Sequence, residues 1–306
     1  MSMNPARSAW VYVLITALAP IIWGSTYIVT TELLPPDRPF TAALLRTLPA
    51  GILLVLWSRH FLLKRDWAHL LILAALNIGF FQALLFVAAY RLPGGLAAVV
   101  GAMQPLLVMA LAWGIDGRQP VRLAIGATLI GVLGMAALLL SPGAAWDSIG
   151  MTAALVGTAC MAGGTFFAQR WRTTIPLLAF TGWQLLLGGV MLIPVTWMFD
   201  APLPMLTITQ ALAYAYLSIF GALLSYALWF QGIAKLSPVA VSSLALLSPV
   251  TAVVIGWSLL GQSMTGLSLV GLVAVLGSVL TVQWALNPHA QNSTRRVLTR
   301  MGFMRP

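Results

Sequence analysis

The sequence predicts an all-α polytopic membrane protein, ten transmembrane helices arranged as two inverted five-helix repeats around a central cavity. Three observations predict it. Of the 306 residues 60% are hydrophobic and 7% charged, with a mean hydropathy of +0.95, so the chain's solvent is largely lipid. Apolar runs of roughly twenty residues, the length that crosses a hydrocarbon core as a helix, recur with short breaks from Ala9 to Leu286. The alternating ten-residue segments of a β-barrel are not seen. The third observation is a repeat: Asn77 to Gly117 returns 144 positions later as Gly221 to Gly261. At that offset Ala83, Leu84, Phe86, Leu92, Pro105, Trp113 and Gly117 meet Ala227, Leu228, Phe230, Leu236, Pro249, Trp257 and Gly261. Two prolines, two tryptophans and two loop glycines agree in order without a gap, and an internal repeat sets the architecture of such a chain.

The first span is expected over residues 9–31. Arg7 before it and Ala17-Leu18-Ala19 within it imitate a signal peptide and its cleavage site, but the apolar run continues through Pro20 to Val29, so an uncleaved helix is expected. The remaining spans are placed at 40–58, 67–89, 94–115, 121–140, 149–169, 176–198, 207–233, 238–260 and 265–286. Turn-forming residues punctuate the breaks: Pro35-Pro36, Arg59 to Asp66, Pro93-Gly94-Gly95, Gly117 with Pro120, Ser141-Pro142-Gly143, Pro176, Pro202 with Pro204, Ser237-Pro238 and Gly261. The repeats then cover 9–140 and 149–286, and 287–306 is a basic tail, with no room for a soluble domain.

Orientation follows from positive charge in alternate loops. With the N-terminus inside, Arg59, Lys64, Arg65, Arg118, Arg122, Arg170, Arg172, Lys235 and the tail arginines fall in the cytoplasm, and only Arg38 and Arg91 outside. Both termini are therefore expected to be cytoplasmic, in a bacterial inner membrane. Five spans per half make the second copy inverted, and the charges agree: the Arg91 loop is external, its repeat partner, the Lys235 loop, internal. Two such halves can exchange conformations and open to either side of the membrane.

The net charge of +10 does not make a nucleic-acid binder, because the basic residues lie in short loops and the tail. That tail either rests on the anionic leaflet or is a solvated end. Cys160, the only cysteine, lies in an apolar run and reads as a small core residue. His60, His69 and His289 lie in or beside loops, away from any serine or carboxylate that would complete a catalytic set, and no cluster suits a metal. An enzyme, a metal and a cofactor are not expected. The expected partners are a small-molecule substrate and the bilayer, with the protein a monomer.

No Asp or Glu lies at the centre of a span, whereas proton-coupled pumps usually need an ionisable relay there. Arg46, inside the second span, reads as an anchor in preference to a substrate contact. The spans do offer rings and neutral hydrogen-bonding groups: Trp23 and Tyr27; Phe81, Gln82 and Phe86; Phe166; Trp183; Ser225, Tyr226 and Trp229. Each has a plain alternative, since Trp and Tyr near span ends form interfacial belts and Ser or Gln often bonds between helices. Gln82 and Tyr226 are singled out because the 144-residue offset makes them equivalents, which symmetry brings to the midplane on either side of a substrate. Pro105 and Pro249 would each free a mid-helix carbonyl and supply a hinge or a tolerated kink. Trp257 is assigned to packing.

Ile22-Trp23-Gly24-Ser25-Thr26-Tyr27, with Arg46 in the next span and the Pro105 and Pro249 helices, resembles the EamA-like branch of the drug/metabolite transporter superfamily, and within it the bacterial exporters of aromatic amino acids. The resemblance covers Ala9 to Leu286. It implies a basket of inverted five-helix repeats, with the cavity built from the first, third, fourth, sixth, eighth and ninth spans and the others supporting it. Relatives often carry a glutamate just after the glycine that ends the fourth and ninth spans. Here those positions are Arg118 and Gln262, so any role of that glutamate does not transfer.

The expected function is export of a neutral or zwitterionic metabolite, an aromatic amino acid first, by alternating access without obligatory proton coupling. A multidrug or nucleobase exporter is the alternative. A nucleotide-sugar carrier would want several buried cations, and a passive channel or an intramembrane enzyme stands further off.

Overall fold

The computed structural model describes residues 5–92, 96–139, 147–171, 173–261 and 266–287. Pro93-Gly94-Gly95, Ser141-Pro142-Gly143, Arg172, Gln262 and the tail from residue 288 lie outside them. Ten helices among the described residues are long and apolar enough to cross a membrane. They are Ala9–Leu33, Pro39–Ser58, Trp67–Ala88, Leu96–Asp116, Arg122–Leu139, Ser148–Arg170, Leu177–Phe199, Ile208–Lys235, Pro238–Leu259 and Gly266–Ala285, each end within two residues of the sequence expectation. The agreement has a simple cause, since in lipid an apolar backbone must satisfy its hydrogen bonds internally and a helix runs until polar or turn-forming residues stop it.

The packing has a two-fold pattern. The second span packs on the seventh and the fifth on the tenth, each pair mapping on itself when a span is exchanged for the one five places along. The third packs on the sixth as the first packs on the eighth, and the fourth packs on the sixth as the first packs on the ninth. Close approach of the first and ninth spans depends on Gly24, where an added Cβ would lie 2.5 Å from the Ser248 carbonyl oxygen and from Thr251 Cβ. At the span ends, Asp200 accepts from the Thr41 backbone N–H at 2.5 Å and hydroxyl at 2.8 Å, capping the second span from the end of the seventh. Arg170 pairs with Asp116, joining the ends of the sixth and fourth spans.

Irregularities in the helices repeat at the same offset or within one residue of it: the π-turn starts and the terminal glycines are 144 residues apart and the helix breaks 143 (245 − 102). The third span contains a π-turn at Ala75–Gly79 and the eighth one at Ile219–Leu224, starting 144 residues apart (219 − 75). The fourth span breaks at Ala102 and Met103, between Leu96–Gly101 and Gln104–Asp116. The ninth breaks at Ala245 and Leu246, between Pro238–Leu244 and Leu247–Leu260. Gly117 and Gly261 then end these spans with φ of 66° and 64°, the left-handed conformation that a Cβ would strain.

Two expectations change here. Pro105 and Pro249 are not in helix interiors: each falls in the first turn after a break, where no intrahelical partner awaits its missing N–H. The two-residue break lies in the turn that each proline crowds, and is closed by short bonds such as Met103 N–H to Val100 O and Leu246 N–H to Ser243 O. Trp257 is 55% exposed and Trp113 58%, so both face outward near span ends, as interfacial tryptophans do, and neither is a packing residue.

Candidate functional site

The middle of the bundle is built where the third and eighth spans pass their π-turns. Such a wide turn shifts every later side chain around the helix axis and marks functional sites in many helices. One turn past them, Gln82 Nε2 donates to the Tyr226 hydroxyl at 3.0 Å, both residues 1% exposed. The expected equivalents therefore meet directly, with no gap for a substrate between them. Gln82 Oε1 is left as a buried acceptor without a partner among the described residues.

Aromatic rings surround this bond. The Trp23 ring lies 5.1 Å from Tyr226 and 5.2 Å from Trp229, both tilted, and Phe230 follows at 5.9 Å from Tyr226. Pairs at these distances contribute about 0.5–1.5 kcal/mol each beyond their buried area. Trp229 is fully buried, and its indole N–H has no acceptor among the described residues.

The Gly221 carbonyl, inside the second π-turn, collects three donors. Arg46 Nε and Nη2 reach it at 3.1 and 2.8 Å, and Trp23 Nε1 at 3.0 Å. Glycine at 221 leaves room for this, since a Cβ there would stand 3.4 Å from Arg46 Nε and 3.1 Å from Thr26 Cγ2. Arg46 is thus both the expected anchor and a charge placed beside the ring cluster, a position that sequence reasoning underrated. The signal was there: an arginine seven residues into a span is seldom tolerated without a role.

Tyr27 borders the same region and lies within the electrostatic reach of Arg46. It is 47% exposed. The first span's outward stripe is Val11, Leu14, Leu18 and Ile21. At 3.6 residues per turn Tyr27 lies roughly 150° around the helix from that stripe. Its exposed side is therefore turned away from that stripe.

The other expected site residues divide. Phe81 is half-buried against the main core. Phe86 is half-buried with no ring contact among the described residues. Phe166 is buried but belongs to a separate string, 5.2 Å from Phe167, which stacks on Trp171 at 4.8 Å. Trp183 is held away from the cluster, its indole N–H donating to the His60 carbonyl at 3.0 Å and its ring edge-on to Trp67. Ser225 donates to the Phe220 carbonyl at 2.5 Å and so fastens the π-turn. A polar pair missed by the sequence reading lies at the first π-turn: Asn77 Nδ2 donates to Gln184 Oε1 at 2.8 Å, both fully buried. Among the described residues no group of His, Cys, Asp or Glu is arranged to hold a metal. A groove of about 360 Å³ lies elsewhere, between the fifth and tenth spans, lined by Gly126, Ile130 and Gly277. It is on the periphery and holds none of these groups.

Comparison with known proteins gives a consistent picture. The pattern of the EamA-like transporter family matches twice, over residues 10–140 and 148–284. The chain is 41% identical to Protein PecM of Dickeya dadantii over 268 residues, 87% of this chain and 90% of that one. It is 30% identical to a chloroplastic WAT1-related protein of Arabidopsis thaliana over 284 residues, 86% and 67% of the two chains. It is 29% identical to the uncharacterized inner membrane transporter YedA of Escherichia coli K12 over 277 residues, 86% and 87%. A solved crystal structure superposes with a TM-score of 0.75 over 89% of this chain and 98% of its own, at 16% identity, which shows a shared fold.

Proposed function

Because the chain belongs to the EamA-like transporter family, and so is a multi-pass membrane transporter, we propose that its cargo is a neutral or zwitterionic metabolite, an aromatic amino acid first, moved outward across a bacterial inner membrane. The observation that carries the reading is the Gln82–Tyr226 hydrogen bond, enclosed by Trp23, Trp229 and Phe230. Rings arranged in this way offer faces to an aromatic side chain, and the unpaired Gln82 Oε1 and Trp229 Nε1 offer one acceptor and one donor to its polar end.

In this reading the two halves are inverted repeats, cytoplasmic at both termini, that exchange conformations around the Gln82–Tyr226 contact. Breaking that bond opens room for cargo between residues that are now in contact. The accessible space beside Tyr27 and Arg46 then lies in the outer half, and the closed side is the inner one. Both the two-fold packing and the matched breaks of the fourth and ninth spans support such an exchange.

The test is counterflow of labelled tryptophan, phenylalanine and tyrosine in proteoliposomes. Saturable exchange that an excess of unlabelled aromatic amino acid accelerates is expected. Uptake that never saturates would mean a channel, and exchange of nucleobases or cationic drugs in place of amino acids would overturn the cargo.

A further inference from the structure

The Arg46 guanidinium has two edges that can each hold a pair of acceptors. Its side edge, Nε and Nη2, is taken by the Gly221 carbonyl. Its end edge, Nη1 with the second hydrogen of Nη2, has no partner among the described residues. Gly221 in turn receives three donors, counting Trp23 Nε1, on an oxygen with two lone pairs. The charge is therefore only partly satisfied. No carboxylate compensates it: among the described residues the ion pairs are Arg65–Asp66, Arg91–Asp147 and Arg170–Asp116, all at or beyond span ends. A guanidinium inside a membrane protein demands an anion or a ring of acceptors, and the planar end edge matches a carboxylate in a two-bonded fork.

We infer that Arg46 reads the carboxylate of the transported molecule, so that the cargo is an aromatic compound with a free carboxylate and not its amide, its amine or an uncharged ring. The inference rests on the central cluster being the substrate site. The carboxylate takes the free end edge while Gly221 keeps the side edge, so the arginine stays fixed as cargo comes and goes. Trp23 Nε1 bonds the same Gly221 carbonyl as Arg46, and the Trp23 ring lies 5.1 Å from that of Tyr226, whose hydroxyl accepts from Gln82. Held by its carboxylate at Arg46, an aromatic α-amino acid keeps its ammonium on the same α-carbon and extends its ring toward Trp23 and Tyr226. Arg46 acts here as a specificity-determining residue.

The experiment uses the full chain in liposomes and labelled tryptophan counterflow, with unlabelled tryptophan, indole-3-propionate and tryptophanamide as competitors. Wild type is expected to bind the two carboxylates at least about tenfold better than the amide, the loss associated with a missing charge-assisted bond. Arg46→Lys keeps the preference at lower affinity, and Arg46→Gln abolishes it. An arginine that only anchored the π-turn would lower all three alike and leave their ratio unchanged, which would overturn the assignment. If Arg46→Gln does not fold, the wild-type ratio decides: equal competition by acid and amide removes the role of Arg46 and leaves tryptophan transport standing. No tryptophan counterflow at all removes the proposed cargo and this assignment with it.

Discussion

Gln82 donates a hydrogen bond to Tyr226 at 3.0 Å, and the two residues are separated by 144 positions, the interval that also separates the starts of the two π-turns. A contact between equivalents of two repeats lies on the axis that relates them. In the proposed exchange of the halves cargo enters when this bond breaks, which makes the bond a sensitive place to perturb.

Tyr226→Phe removes the acceptor and leaves the buried Gln82 amide without its partner. Counterflow per folded protein is expected to fall about tenfold or more, equivalent to ~1.4 kcal/mol. Trp257→Phe, on the exposed face, should leave it within about twofold. Equal losses in the two variants, at equal expression, would show that the Gln82–Tyr226 bond has no special place in transport.

The sequence revealed the spans because length and hydropathy alone determine them in lipid, and it revealed the Gln82–Tyr226 equivalence through the offset. Other features were not legible, for physical reasons. A π-turn inserts one residue without any composition of its own, so neither Ala75–Gly79 nor Ile219–Leu224 could be read. Trp183 and Phe166 were placed in the site by residue type, and their rings pack against other partners, which depends on contacts between helices that spacing along one helix does not carry. Pro105 and Pro249 were read as points of irregularity, and each break lies within the four residues before its proline, where the ring removes a helical bond and crowds the preceding turn. Asn77 and Gln184 come from different halves at no repeat spacing, and only the packing of the third span on the seventh joins them.

That Asn77–Gln184 pair should behave as a buried polar contact. Asn77→Ala leaves Gln184 without its partner and is expected to destabilise the protein by about 1–3 kcal/mol. Adding Gln184→Leu removes the stranded group and should restore part of the loss. Unfolding in graded detergent mixtures measures both. A double variant less stable than the single one by a full additional increment would mean that the two side chains act independently.

Glycines give a contrast between necessity and excess. Gly24→Leu must push the Ser248 backbone and Thr251 away, separating the first and ninth spans, and should prevent accumulation of folded protein. Gly126 faces open space in its helix, with nothing within 4 Å of an added Cβ. Gly126→Ala should therefore be neutral or stabilising by about 0.5–1 kcal/mol, because alanine costs less backbone entropy in a helix. Folded yield by fluorescence-detected gel filtration and the midpoint of thermal unfolding separate the two cases, and a well-folded Gly24→Leu would contradict the observed packing.

Energy coupling can be argued from where the carboxylates are. Glu32 is exposed near the end of the first span, Asp116 ends the fourth and is paired with Arg170, and Asp200 follows the seventh as a cap for Thr41. None is placed mid-span, where a proton relay would need it. The Gln82–Tyr226 bond is between neutral groups, so breaking it in the proposed cycle needs no net proton uptake. An imposed pH gradient across proteoliposomes is thus expected to leave the final level of labelled tryptophan within about twofold of the level without one, since a coupled carrier would accumulate it about tenfold per pH unit. Accumulation that tracks the gradient would show that a proton moves with the cargo and that one of the span-end carboxylates reaches the pathway during the cycle.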